Sequence, residues 1–147
     1  MKSRHLARAI AVQTLYSLDF NGRLYTCSVP YSDLFAGYTQ QEQDKLEIDV
    51  SLYASFLING VLSRLNEIDE VINRFSSKRS LENISLVDRN ILRVSIYTLL
   101  YCTDIHPNIV IDEAVKLSQE YSTEVNYKFI NGLLDTAVRH LHDSPKN

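Results

Sequence analysis

Ile105-His-Pro-Asn-Ile-Val-Ile-Asp-Glu-Ala-Val-Lys-Leu117, with Tyr127-Lys-Phe-Ile-Asn-Gly-Leu-Leu-Asp135 after it, decides the fold class of this chain. Pro107 pushes His106 out of helical geometry, so Thr103-Asp-Ile-His-Pro107 reads as a connector that ends at the proline. Apolar residues then return at three- and four-residue steps, which predicts helices over about 108–121 and 126–142. Asn131-Gly132 falls inside the second of these. Glycine in a helix interior costs about 1 kcal/mol against alanine. Its presence there predicts a neighbouring backbone packed close by, with Asn131 satisfying buried backbone or a helix end, and predicts that Gly132→Leu destabilises by overpacking.

The same period runs outward through the chain. Leu6, Ala9, Ile10, Gln13 and Tyr16 predict an amphipathic helix over about 3–20, stopped by Asn21-Gly22. Residues 22–46 hold Pro30, Gly37 and scattered tyrosines, with a short helix expected near 31–37. A long helix is predicted over 47–75, its apolar face supplied by Leu52, Phe56, Ile58, Leu62, Leu65, Ile68, Val71, Ile72 and Phe75. Asn59-Gly60 marks either close packing or a break in it. Ser76-Ser-Lys-Arg-Ser80 is a polar connector. Ser85 and Asp88 resemble a capping box at the start of a helix to about 102. No stretch alternates with period two, so the fold class is all-α, and the halves divide near 76–84.

Bulk properties narrow the function classes. A chain of 147 residues fits one domain and buries roughly 70% of its unfolded surface. Its 45% hydrophobic and 22% charged content argues against disorder beyond the termini. No apolar run approaches the ~18–20 residues a membrane span requires, and there is no signal-peptide core, so a cytoplasmic protein is expected. Cys27 and Cys102 have no metal-ligand spacing and are expected to be reduced and mostly buried; no cofactor and no metal site is expected. His140 and His142 diverge on a helix and make a poor chelate. No activated nucleophile or phosphate loop is present, so nothing demands catalysis. Asp112-Glu113 points in two directions about 100° apart, and its place in the first turn of the predicted helix favours a dipole role over paired acid–base chemistry.

Net charge is −3, but it is unevenly spread. Lys2, Arg4 and Arg8 precede the first acid, Asp19, while Glu42, Asp44, Glu47 and Asp49 surround a single Lys45. Arg4 and Arg8, four residues apart, share a helix face near a positive helix end, an arrangement that suits phosphate oxygens or is a solvated helix start. Tyr121, flanked by Lys116 and Lys128, either stacks on a base or caps the core.

Both ends of the chain resemble the NusB family of bacterial transcription antitermination factors. Arg4-His-Leu-Ala-Arg8 with Gln13-Thr-Leu-Tyr16 is similar to its opening helix. Val87-Asp-Arg-Asn-Ile-Leu-Arg93 with Tyr97 is similar to its central helix, and the 105–135 stretch to its C-terminal signature. The resemblance implies two antiparallel three-helix bundles, about 1–79 and 80–147, packed as one compact domain. It also implies a non-catalytic factor that pairs with NusE (a small-subunit ribosomal protein). Together they would bind single-stranded boxA RNA of ribosomal-RNA leaders and join RNA polymerase with other Nus factors to read through terminators. The implied RNA-binding residues are Lys2, Arg4, Arg8, Gln13, Tyr121 and Lys128, with Glu82 and Arg89 toward the partner. The chain departs from the family in its fewer arginines, in His5 among them, in Thr98 and in Asp112. The first of these implies weak intrinsic RNA affinity and dependence on a partner.

Two other readings share the fold. One is the N-terminal RNA-binding region of ribosomal-RNA cytosine methyltransferases; with no cofactor-binding segment following, it is not expected to methylate alone. The other is a helical bundle that binds only proteins.

Overall fold

A computed structural model describes residues 2–24, 39–76, 79–122 and 126–143. Seven α-helices and one 3-10 turn, with no strand, make up these residues: α1 (Lys2–Phe20), α2 (Gln40–Lys45), α3 (Ile48–Ser63), α4 (Leu65–Phe75), the turn Leu81–Asn83, α5 (Leu86–Tyr101), α6 (Pro107–Tyr121) and α7 (Tyr127–Asp143). The all-α reading holds. The helix expected near 31–37 lies outside the described residues. The sequence reading missed α2, although Thr39 and Glu42 form a full capping box that signals its start.

The core explains the arrangement. α5 packs against α1, α3, α4, α6 and α7, and buried residues from all of these form one continuous apolar cluster. A helix enclosed on all sides must satisfy its own polar groups. Ser95 and Thr98 therefore donate to the carbonyls of Ile91 and Val94, each at 2.8 Å. Ser85 caps the helix by accepting from the Asp88 N–H. The Asp88 carboxylate accepts the Ser85 hydroxyl in return, at 2.9 Å, and also reaches across toward α6 and α7. It accepts from Ser118 (3.1 Å) and Ser122 (3.4 Å) at the end of α6 and from Asn126 (2.9 Å) just before α7.

Arg93 of α5 is the largest side chain fully inside. Its Nε and Nη2 donate to the two oxygens of Asp69 on α4, at 2.8 and 3.1 Å. Its Nη1 donates to Asp19 on α1 at 2.8 Å. Arg89 closes on the same Asp19 with two parallel bonds, and Asn90 adds a third donor. Three helices are thus tied through one charged cluster.

Several expectations need correction. The 47–75 segment is two helices, bent by 78° at Arg64. No proline or glycine stands at that corner, and a tertiary contact spans it. Tyr101 at the end of α5 lies under the Arg64 guanidinium and donates its hydroxyl to Glu67, gripping both sides of the bend. The buried stripe of α3 is Val50, Ala54, Leu57, Ile58 and Val61, whereas Leu52 and Phe56 are exposed. In α1, Leu6 and Tyr16 are exposed too. That helix is wedged against both α3 and α5, so its buried face widens to Ala7, Ala9–Val12, Thr14, Leu15 and Leu18.

The end of α1 follows the sequence closely. Gly22 takes a φ of 69°, and Gly22 and Arg23 donate to Asp19 and Leu18 in a Schellman pair.

The two Asn-Gly dipeptides exchange roles. A Cβ placed on Gly60 would lie 2.2 Å from Cζ of Tyr97, so close packing is real there. Gly132 has nothing within 4 Å of such an atom, and Asn131 is exposed. α7 packs on Ile130, Leu133, Leu134 and Ala137 and leaves that dipeptide on its outer side. Gly132→Ala is therefore expected to stabilise the protein by up to about 1 kcal/mol, the helix-propensity difference. A lower melting temperature in that variant would show that Gly132 meets a neighbour after all.

Among the described residues, no single helix is long and apolar enough to cross a membrane. Cys102 is buried and free, and burial pushes its thiol pKa up. Cys27 lies outside the described residues.

Candidate nucleic-acid interface

The first turn of α1 meets α6 at two places, Glu113 in its second turn and Glu120 in its last. His5 makes the junction. Its Nδ1 lies 2.8 Å from Glu113 and its Nε2 2.7 Å from Glu120. Arg8 reaches the same Glu113 oxygen at 3.2 Å, and Lys116 stands 3.5 Å from the other. Burial alone would lower the His5 pKa; hydrogen bonds to the two carboxylates more than offset this and raise it above 6.5. Burial likewise acts to raise the pKa of Glu113, and His5, Arg8 and Lys116 together hold it below the usual carboxylate value.

Glu113 corrects a sequence expectation. Because α6 begins at Pro107, residues 112 and 113 lie in its second turn and no acid occupies the first. Charge pairing with α1, and not the helix dipole, accounts for Glu113. Its importance is invisible in sequence, since α1 is more than a hundred residues away.

The two arginines expected to act together differ in availability. Arg8 is only 9% exposed and committed to Glu113. Arg4 is exposed, with its guanidinium 4.2 Å above the ring of Tyr53 on α3. Such stacking leaves the edge of the guanidinium fork open to an anion. Ser3, Arg4, Asp49, Leu52, Tyr53 and Phe56 line a shallow groove of about 420 Å³ there. Tyr53 was missed from sequence, and no local motif singles it out. The Lys2 side chain lies outside the described residues. Gln13 is half-buried, nine residues along α1 from Arg4, which places it about half a turn around the axis. The structure does not bring Gln13 together with Arg4.

Tyr121 ends α6, next to Glu120, and is 41% exposed. Burial of the remainder, with the Glu120 charge, raises its hydroxyl pKa. Lys128 is exposed and joins Asp112, Val115, Lys116, Tyr127 and Asn131 around a second groove of about 480 Å³ between α6 and α7. Lysines, an aromatic ring and an amide in one groove can hold a phosphate and the edge of a base. Of the two residues assigned to a partner, Glu82 is exposed on the 3-10 turn, whereas Arg89 is held by Asp19. No group of three or more potential metal ligands occurs among the described residues.

Comparison with known proteins gives a consistent answer. The model of the NusB family matches residues 5–139. The transcription antitermination protein NusB of Thermodesulfovibrio yellowstonii is 32% identical over 138 residues, 92% of this chain and 91% of its own. The structure of NusB from T. maritima superposes with a TM-score of 0.79 at 30% identity, covering 92% of this chain and 90% of that one. A crystal structure of antitermination factors NusB and NusE in complex with double-stranded RNA matches with a TM-score of 0.78 at 28% identity, covering 95% and 98%. A match of this extent places the chain in the NusB family of non-catalytic transcription antitermination factors.

Proposed function

We propose that this protein is a cytoplasmic RNA-binding transcription antitermination factor. It pairs with NusE, binds single-stranded boxA RNA of ribosomal-RNA leaders, and with RNA polymerase and other Nus factors reads through terminators. One observation supports the RNA assignment: His5, next to exposed Arg4 on α1, is bonded to Glu120, next to exposed Tyr121 on α6. Phosphate would be held by Arg4, with Lys2 and Lys128 adding charge, and a base would stack on Tyr121, a contact worth roughly 1–3 kcal/mol. Arg8 supports the site from beneath. The NusE surface is proposed to lie on the second half of the chain around Glu82. Arg89 contributes there by fixing α5 to α1.

Because Glu113 and Glu120 already neutralise two nearby cations, binding by the chain alone is expected to be weak and NusE to supply the remainder. The same contacts favour the rival reading, a bundle that binds only proteins. Fluorescence anisotropy of labelled boxA-type RNA, with and without NusE across a salt titration, separates them. Tight binding only with NusE is expected. Arg4→Ala is expected to weaken it and to reduce the salt slope by about 0.7, the loss of one single-strand phosphate contact. Its melting temperature should be unchanged, whereas Arg8→Ala should also lower that temperature by exposing Glu113. An unaltered salt slope in Arg4→Ala would remove α1 from the site. No binding in either condition would leave the protein-only reading.

A further inference from the structure

A neutral imidazole carries one N–H, yet both ring nitrogens of His5 lie within 2.8 Å of carboxylate oxygens. With both carboxylates ionised, both bonds can be made together only when both nitrogens carry protons, so the arrangement suits the imidazolium. We infer that His5, Glu113 and Glu120 form a proton-operated switch at the RNA face, which frees the Glu120 carboxylate when His5 loses its proton and so weakens RNA binding.

The cluster fixes which bond is lost. Glu113 is 15% exposed and retains Arg8 and Lys116 when His5 is neutral. Glu120 is 51% exposed and has His5 as its ion-pair partner among the described residues. Glu120 therefore leaves, and it is the residue next to Tyr121. With His5 charged, the two cations His5 and Arg8 balance Glu113 and Glu120. With His5 neutral, the same four groups carry one net negative charge, set free beside the proposed base-stacking ring. Phosphate bound nearby favours the imidazolium, so RNA raises the His5 pKa and, reciprocally, protonation tightens RNA binding.

The other groups around α1 do not supply this response. α1 itself offers Arg4 and Arg8, and arginine side chains are not deprotonated in proteins. α6 offers Lys116 and Tyr121, and the tyrosine is raised above its ordinary value of 10.0. α3 presents Asp49 and Tyr53 beside Arg4. From α5 come Tyr97 and, at its end, Cys102, both raised above their ordinary values. His106 caps α6 and His140 stacks on Phe75, both away from His5. The raised pKa of His5 brings its transition toward neutral pH.

This inference rests on the RNA reading above, and the experiment separates the two. Affinity for labelled boxA-type RNA, with NusE present, is measured from pH 6.0 to 8.5 at fixed salt for the wild type, Glu120→Gln and His5→Arg. Wild-type affinity is expected to fall about three- to tenfold as pH rises, corresponding to a half to one unit of RNA-induced shift in His5. Glu120→Gln should bind at least as tightly as wild type at high pH with the step largely gone, and His5→Arg should bind without the step. NMR titration of the His5 ring should give a lower pKa in Glu120→Gln. Binding that is flat in the wild type, or a step that survives in Glu120→Gln, overturns the switch alone. Absence of binding at every pH overturns the RNA reading and the switch with it.

Discussion

Replacing Arg93 by alanine is expected to cost about 3–5 kcal/mol, the usual penalty for removing one member of a buried ion pair. For a chain of this length that lowers the melting temperature by on the order of 10 °C. Asp69 would lose both bonds that Arg93 gives it, and Asp19 one of its donors, although Arg89 would still hold Asp19. The penalty comes from stranding carboxylates, not from losing attraction, so the double variant Arg93→Met, Asp69→Leu should recover most of the loss. Thermal unfolding followed by circular dichroism decides this. A single variant that melts within about 2 °C of wild type would show that the cluster is solvated and structurally idle.

The same cluster sets acid sensitivity. Burial acts to raise the Asp19 pKa, but Arg89, Arg93 and Asn90 outweigh it and hold it below 3.8. A carboxylate with a depressed folded pKa stabilises above its unfolded value, and that stability is lost as pH falls through the folded value. The window therefore opens near pH 3.8 and extends downward. It should narrow in Arg93→Ala, where one of the groups depressing Asp19 is gone.

Gly60→Val should destabilise by about 3 kcal/mol, a combined effect of overpacking and the poor fit of a β-branched residue on the helix. Its Cβ cannot coexist with the Tyr97 ring in place, and that ring is packed edge-on against Phe56 and tilted against Tyr101. Combining Gly60→Val with Tyr97→Leu should give a positive coupling, the pair costing less than the sum of the single variants. Additive losses would mean that the defect is helix propensity and not contact.

The helices were legible because their apolar residues recur at helical steps and because Pro107, Ser85 and Asn21-Gly22 punctuate them. Ser85 and Gly22 act by short-range hydrogen bonds that a linear reading can anticipate. The corner at Arg64 was not legible, since the apolar period runs through it and the contacts that span it come from Tyr101, far along the chain. Asn59-Gly60 and Asn131-Gly132 are identical dipeptides in helices, and only the neighbour each meets distinguishes them.

The candidate site divides in the same way. Arg4 and Tyr121 were singled out by residue type and position, and both are exposed. The pairing of Arg8, His5 and Glu113 was not, because it joins positions 105 to 108 residues apart. Gln13 was grouped with the arginines by sequence nearness alone, and helical geometry turns it away from Arg4.

The Asp88 carboxylate clasps Ser118 and Ser122, the residues three before and one after Tyr121, and also Asn126. The helix end that carries Tyr121 is thereby bolted to the most enclosed helix in the protein. On the proposed reading, a ring presented from a helix end held in this way would have little freedom left to surrender to a stacking base. Most of the stacking energy would then appear as affinity instead of being spent on ordering the platform.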